Sequence, residues 1–157
     1  MTTPLEELPA NALDDARKLL HGVLVLAFER VGWTTARAEL YPLATPKVPG
    51  AWVDVPTLSA QGQGLVATFL LGIAVDGAEQ AQVRRLDALM AVLWELLEAV
   101  KIPQGSPRLA AGSTLQVMTV GPELLDIGGP TTRSLALTVQ VPIGPRTLCP
   151  TALTEEN

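Results

Sequence analysis

The sequence predicts an α/β (α+β) domain, a mixed β-sheet of about five strands with two main helices packed on it, in the order α-β-β-β-α-β-β. Three observations predict it. A chain of 157 residues is long enough to close one hydrophobic core and short for two. Two stretches, 12–30 and 78–100, carry apolar residues at steps of three and four, the spacing of a helix with one buried face. Around them lie runs in which apolar and polar residues alternate, the period of a strand with one wet face.

Taken in order, residues 1–10, with two prolines and several Thr and Glu residues, read as a flexible N-terminal lead, and 11–143 as the folded domain. Asn11 is placed to cap a helix from Ala12 to Arg30, with Asp14 and Asp15 in its electropositive first turn and Leu13, Ala16, Leu20, Val23, Leu24, Ala27 and Phe28 on one face. Val31, Gly32 and Trp33 end it. Ala36, Ala38 and Leu40 alternate with Arg37, Glu39 and Tyr41 as a first strand, and Pro42, Pro46, Pro49 and Gly50 impose a loop. A second strand is expected over 51–57, a Gly- and Ser-bearing turn over 58–64, and a long third strand over 65–75. That third strand is apolar on both faces, so it belongs in the middle of the sheet.

The helix over 78–100 is set by Val83, Leu86, Met90, Leu93, Leu97 and Val100, and the strand-helix-strand passage through it should cross over right-handed. Pro103, Gly105, Ser106 and Pro107 interrupt the pattern. Two more strands, about 114–120 and 135–143, are separated by Gly128 and Gly129, which suit a hairpin turn, so the pair should be antiparallel. Residues 144–157 have two prolines and no period and read as a C-terminal tail.

Composition narrows the function. Charged residues are 17% of the chain and hydrophobic ones 48%, which leaves little charge to cover the surface of a monomer and points to buried subunit contacts. A net charge of −5 disfavours a surface that grips phosphate backbones. The one cysteine, Cys149, cannot close an internal disulfide, and the acidic N-terminal region lacks the basic start of an export signal. The apolar run 65–75 is about half of what a membrane-spanning helix needs.

No catalytic constellation emerges. His21 is the one histidine and lies within a helix, where a surface or partly buried imidazole is expected. One His and one Cys so far apart offer no metal-ligand spacing, and no cofactor is expected. The string Gln61-Gly62-Gln63-Gly64 precedes a strand rather than a helix, so it is a hairpin and not a phosphate loop. Glu95 and Glu98 read as a solvated helix face. Trp33, Trp52 and Trp94 lack basic neighbours at the spacing a nucleic-acid groove uses, which leaves core or subunit-contact roles.

The layout resembles the tail terminator proteins of long-tailed, siphovirus-type bacteriophages, especially those of actinobacteria. The resemblance is carried by the opening helix DDARKLLHGVL, the proline-rich stretch leading to AWVDVPTLS, the long strand GLVATFLLGIAVD, the helix AEQAQVRRLDALMAVLWELLEAV with its RLDAL string at Arg85 to Leu89, and the closing VGPELLDIGGPTTRSLALTVQVPI. Together these cover most of residues 11–143. The resemblance implies a non-enzymatic virion protein of the tail or neck, assembled in the host cytoplasm. It implies a homo-hexameric ring that caps the tail tube, stops its growth and docks the head-side connector or stopper. Its partners would be other copies of itself, the tail tube protein and that connector, with DNA passing through the ring without specific binding and with neither a membrane nor a small-molecule substrate involved.

No residue-level motif comes with the resemblance, so contact residues are sought in the long loops 42–50, 58–64 and 121–130. Pro46, Pro49, Gln61, Gln63, Glu123 and Asp126 are the candidates for subunit or tube contact. Other expectations compete. One is another head-tail joining protein, a stopper or head completion protein, though the helix at 78–100 sits badly with the small barrels of that class. Another is a small intracellular domain binding an apolar ligand between helix and sheet. An enzyme is the third.

Overall fold

The computed structural model describes residues 11–43, 48–61, 64–76, 80–104, 109–110, 112–122 and 132–143. The elements run α1 (Ala12–Arg30), β1 (Arg37–Glu39), β2 (Gly50–Val53), β3 (Thr57–Gln61), β4 (Gly64–Asp76), α2 (Gln80–Ala99), β5 (Gln116–Pro122) and β6 (Thr132–Ile143). The α+β class and the two helices are as expected.

Helix α1 begins where its sequence says it should. The Asn11 side chain accepts from the Asp14 amide at 3.0 Å, and the Asp14 carboxylate accepts from the Asn11 amide at 3.2 Å, so each residue satisfies a donor that the first turn leaves orphaned. Asn11→Ala is expected to lower the unfolding free energy by about 1 kcal/mol, and Asn11→Asp to retain most of it, in urea titrations. At the other end Gly32 takes φ +69, which a side chain resists. The Trp33 amide then reaches back to Phe28 O at 3.0 Å, and the two rings meet edge to face with centroids 6.0 Å apart.

The sheet has six strands in the order β1-β2-β4-β6-β5, with β3 pairing β4 outside that path. β4 is central: β2 and β3 pair antiparallel with its upper and lower parts on one edge, and β6 pairs antiparallel along the other from Leu65↔Ile143 to Asp76↔Thr132. β5 pairs antiparallel with β6, as expected. β4 and β5 therefore run parallel with β6 between them. β1 and β2 are the one directly paired parallel couple.

The sixth strand corrects the expected count of five. The stretch 58–64 predicted as a turn is mostly β3, and every β3 residue is exposed. A strand held by backbone pairing to β4, with neither face buried, carries no alternation for a periodicity argument to find. The second strand also stops at Val53 rather than running to 57, and the fifth begins at Gln116, because Thr114 pairs instead with Lys101.

Both helices pack on one face of the sheet. Ala16, Leu20, Leu24 and Phe28 of α1 and Leu89, Leu93 and Leu97 of α2 meet Phe69, Leu71 and Ile73 of β4 and Leu137, Val139 and Val141 of β6 in one cluster. The stretches 1–10 and 144–157 lie outside the described residues.

Candidate assembly surface

The C-terminal ends of the parallel strands β1 and β2 are joined by one side chain of α1. Arg17, 7% exposed, is the one buried charged residue among those described. Its guanidinium donates to Leu40 O at 2.9 Å, to Val53 O and to Asp54 O at 3.1 Å, and lies over the rings of Tyr41, 4.8 Å from the centroid, and Phe69. A planar fork with five donors suits this task, since it meets carbonyls at the ends of two neighbouring strands at once. Burial pushes its pKa below the ordinary value, while Tyr41, Asp14 and Asp54 pull it back up. Arg17 is thereby committed to structure. His21 plays a similar part through a contact of 3.0 Å between Nε2 and Ala38 O, the bland role expected of it.

The sheet face opposite the helices is half-buried over the lower part of β4 and β6, closed around Trp52, Gly72, Ala74 and Ala136, and poor in charge. Register places Thr57 and Ser59 of β3, Val66, Thr68, Leu70, Gly72 and Ala74 of β4, and Ala136, Thr138, Gln140 and Pro142 of β6 on it. Among the strand residues whose side chains are described, its charges lie at the margin, Arg37 and Glu39 of β1. In its middle, one row crosses three strands as Trp52, Gly72, Ala136. The Trp52 indole lies on Gly72, where a Cβ would come within 2.4 Å of it. Only a glycine lets the ring lie this flat, and Trp52 is buried as a result.

The hairpin of β3 and the first part of β4 carries no charged residue, and β3 stands fully exposed, Leu58 at 44%. Further apolar surface lies on Val55 at 70%, Met118 at 51% in the irregular step of β5, and Trp94 at 42% on α2. Asp87, Met90, Ala91 and Trp94 line a shallow groove along one side of α2. Such surface suits protein contact rather than bond-making chemistry. Glu95 and Glu98 are exposed, as a solvated face requires, and among the described residues no three His, Cys, Asp or Glu side chains gather to hold a metal ion. Among the described residues no helix is long and apolar enough to cross a membrane.

Of the contact candidates, Pro49 and Gln61 fall within the described residues. Pro49 lies just before β2, opposite the top of β4, and its carbonyl accepts from the Arg37 amide at 3.4 Å. Gln61 ends β3 and pairs Gly64, at the bottom of β4. Ten residues of extended β4 between those levels make a separation of roughly 30 Å, so the two do not form one site. Pro46, Gln63, Glu123 and Asp126 lie outside the described residues. Met118 and Val55, exposed and apolar, are not among the loop candidates. Trp94 had a signal, an aromatic side chain off the apolar stripe of its helix.

No family model matches this sequence, and no curated protein does either. Solved structures do. One is a chain from the virion of a native gene transfer agent particle, alike with a TM-score of 0.52 over 79% of this chain and 93% of that one, at 13% identity. What the likeness establishes is a shared fold.

Proposed function

We propose that this chain is a structural protein of a phage-type virion, and that it ends the tail tube as a ring of six copies, the number in the family it resembles, whose other face receives the head-side connector. The observation that carries the reading is the fold shared with a chain of the gene transfer agent virion across nearly the whole of that chain. The charge-free exposed hairpin of β3 and the exposed apolar residues Val55, Trp94 and Met118 support it, because they are surface for protein neighbours. Against an apolar-ligand carrier, the space between helices and sheet is filled by Leu20, Leu24, Phe69, Leu71 and Leu93. On this reading Pro46, Pro49, Gln61, Gln63, Glu123 and Asp126 are contacts with neighbouring subunits or the tube, and the acidic character of the chain lets DNA slide past.

The test is negative-stain microscopy of tail tubes from the source virus with and without the protein. Tubes capped at one end by a small ring and no longer lengthening are the expected result. Tubes that keep growing, with the protein free in solution, overturn the reading. Charge reversal at Glu123 and Asp126 together should impair ring formation or tail joining, and unchanged capping and joining would remove both from the contact set.

A further inference from the structure

We propose that copies of this chain join head to tail by antiparallel pairing of β5 of one copy with β3 of the next, so that the sheet continues across the boundary. The inference rests on the ring reading and supplies its joint. Two unpaired edges carry it. Among the described residues the outer edges of β3 and of β5 have no neighbouring strand. Soluble proteins ordinarily blunt such edges with charges. Here β3 has none, nor does any position from Val55 to Val75, and Gln116 to Pro122 has none either. The irregular step in β5, where an edge is usually turned away from partners, presents exposed Met118. Electrostatically the edges are compatible: pairing buries no charge and opposes no like charges.

Polarity decides the arrangement. β3 runs antiparallel to β4, β6 antiparallel to β4, and β5 antiparallel to β6, so β5 and β3 of one chain point in opposite directions. A second copy set beside the first in the same orientation therefore offers β5 an antiparallel neighbour. The levels also differ. Through β6, β5 stands opposite Thr68 to Ile73 of β4, while β3 stands opposite Gly64 to Thr68. Pairing them staggers successive copies along the strands, the offset a sheet needs to tilt and close on itself, and passes below β1, which occupies the upper part of the same edge. A contact between two different edges is heterologous, the kind that closes into a ring when the rotation between successive copies allows it and otherwise runs on as a filament.

The test uses the full chain with Ser59→Lys or Met118→Lys, both at exposed positions, and sedimentation velocity, with melting temperature as the folding control. Wild type is expected to associate, and each variant to melt like wild type yet sediment as the 16.6 kDa monomer. An equal mixture of the two should give a dimer and nothing larger, because one joint of intact β5 and intact β3 survives. Wild type that stays monomeric up to about 1 mM overturns the pairing, as does either folded variant that associates like wild type. Should Ser59→Lys fail to fold, Gln61→Lys at the strand end replaces it. Tube capping is scored separately: capping with unchanged association of both variants sinks the joint and leaves the capping role, while loss of association in both with no capping by wild type does the reverse.

Discussion

Arg17→Ala is expected to cost about 3 kcal/mol and to lower the melting temperature by roughly 6–12 °C in a chain of this length. The reason lies in what the side chain leaves behind. Leu40, Val53 and Asp54 each present a carbonyl to it, and Val53 O is buried. Alanine leaves those acceptors without a donor, and an orphaned buried acceptor costs more than the hydrogen bond was worth. Arg17→Met separates hydrogen bonding from packing, since the methionine keeps contact with Phe69 and restores no donor. It should lie closer to alanine than to wild type. Arg17→Lys should fall between, because one ammonium cannot span carbonyls on two strands. Thermal unfolding by circular dichroism orders the series, and a methionine variant as stable as wild type would refute the clamp.

Gly72→Ala is expected to destabilise by about 1–3 kcal/mol, and Gly72→Val by more. The added Cβ would stand 2.4 Å from Cε2 and Cζ2 of Trp52 and 2.8 Å from Nε1, distances at which the ring must lift off the sheet. Trp52→Ala alone should cost about 3 kcal/mol. In that background Gly72→Ala meets no indole, and its cost should nearly vanish. The double-mutant cycle should therefore yield a coupling of at least about 1 kcal/mol, measured by denaturant titration. Additive costs would mean that Gly72 is held for some reason other than the ring above it.

How far these features are legible in sequence follows from what each depends on. α1, β4, α2 and β6 are written as periods and caps, and Asn11 and Gly32 mark the ends of α1 to within two residues. β3 is invisible to that reading because its reason to exist is the edge of β4. The Arg17 clamp is illegible for a related cause: an arginine at an apolar helical position gains its meaning from carbonyls 23 to 37 positions away. Gly72 within an apolar strand shows as an interruption, and only register brings Trp52 over it. Contact surface is written in sequence in two different ways. Loops announce themselves by Pro and Gly, whereas an unprotected edge announces itself by an absence of charge that matters once the strand order is known.

The place of β4 at the centre of the sheet has a consequence for how the chain is made. Its long partner β6 ends at Ile143, whereas β4 itself is complete at Asp76. At translation rates of about 5–20 residues per second, the apolar stretch from Leu65 to Val75 waits several seconds or more for the strand that covers its second edge. Through that interval the nascent chain holds a long strand without charge beside a hairpin without charge. A nascent chain in that state exposes the kind of surface that chaperones at the ribosome bind.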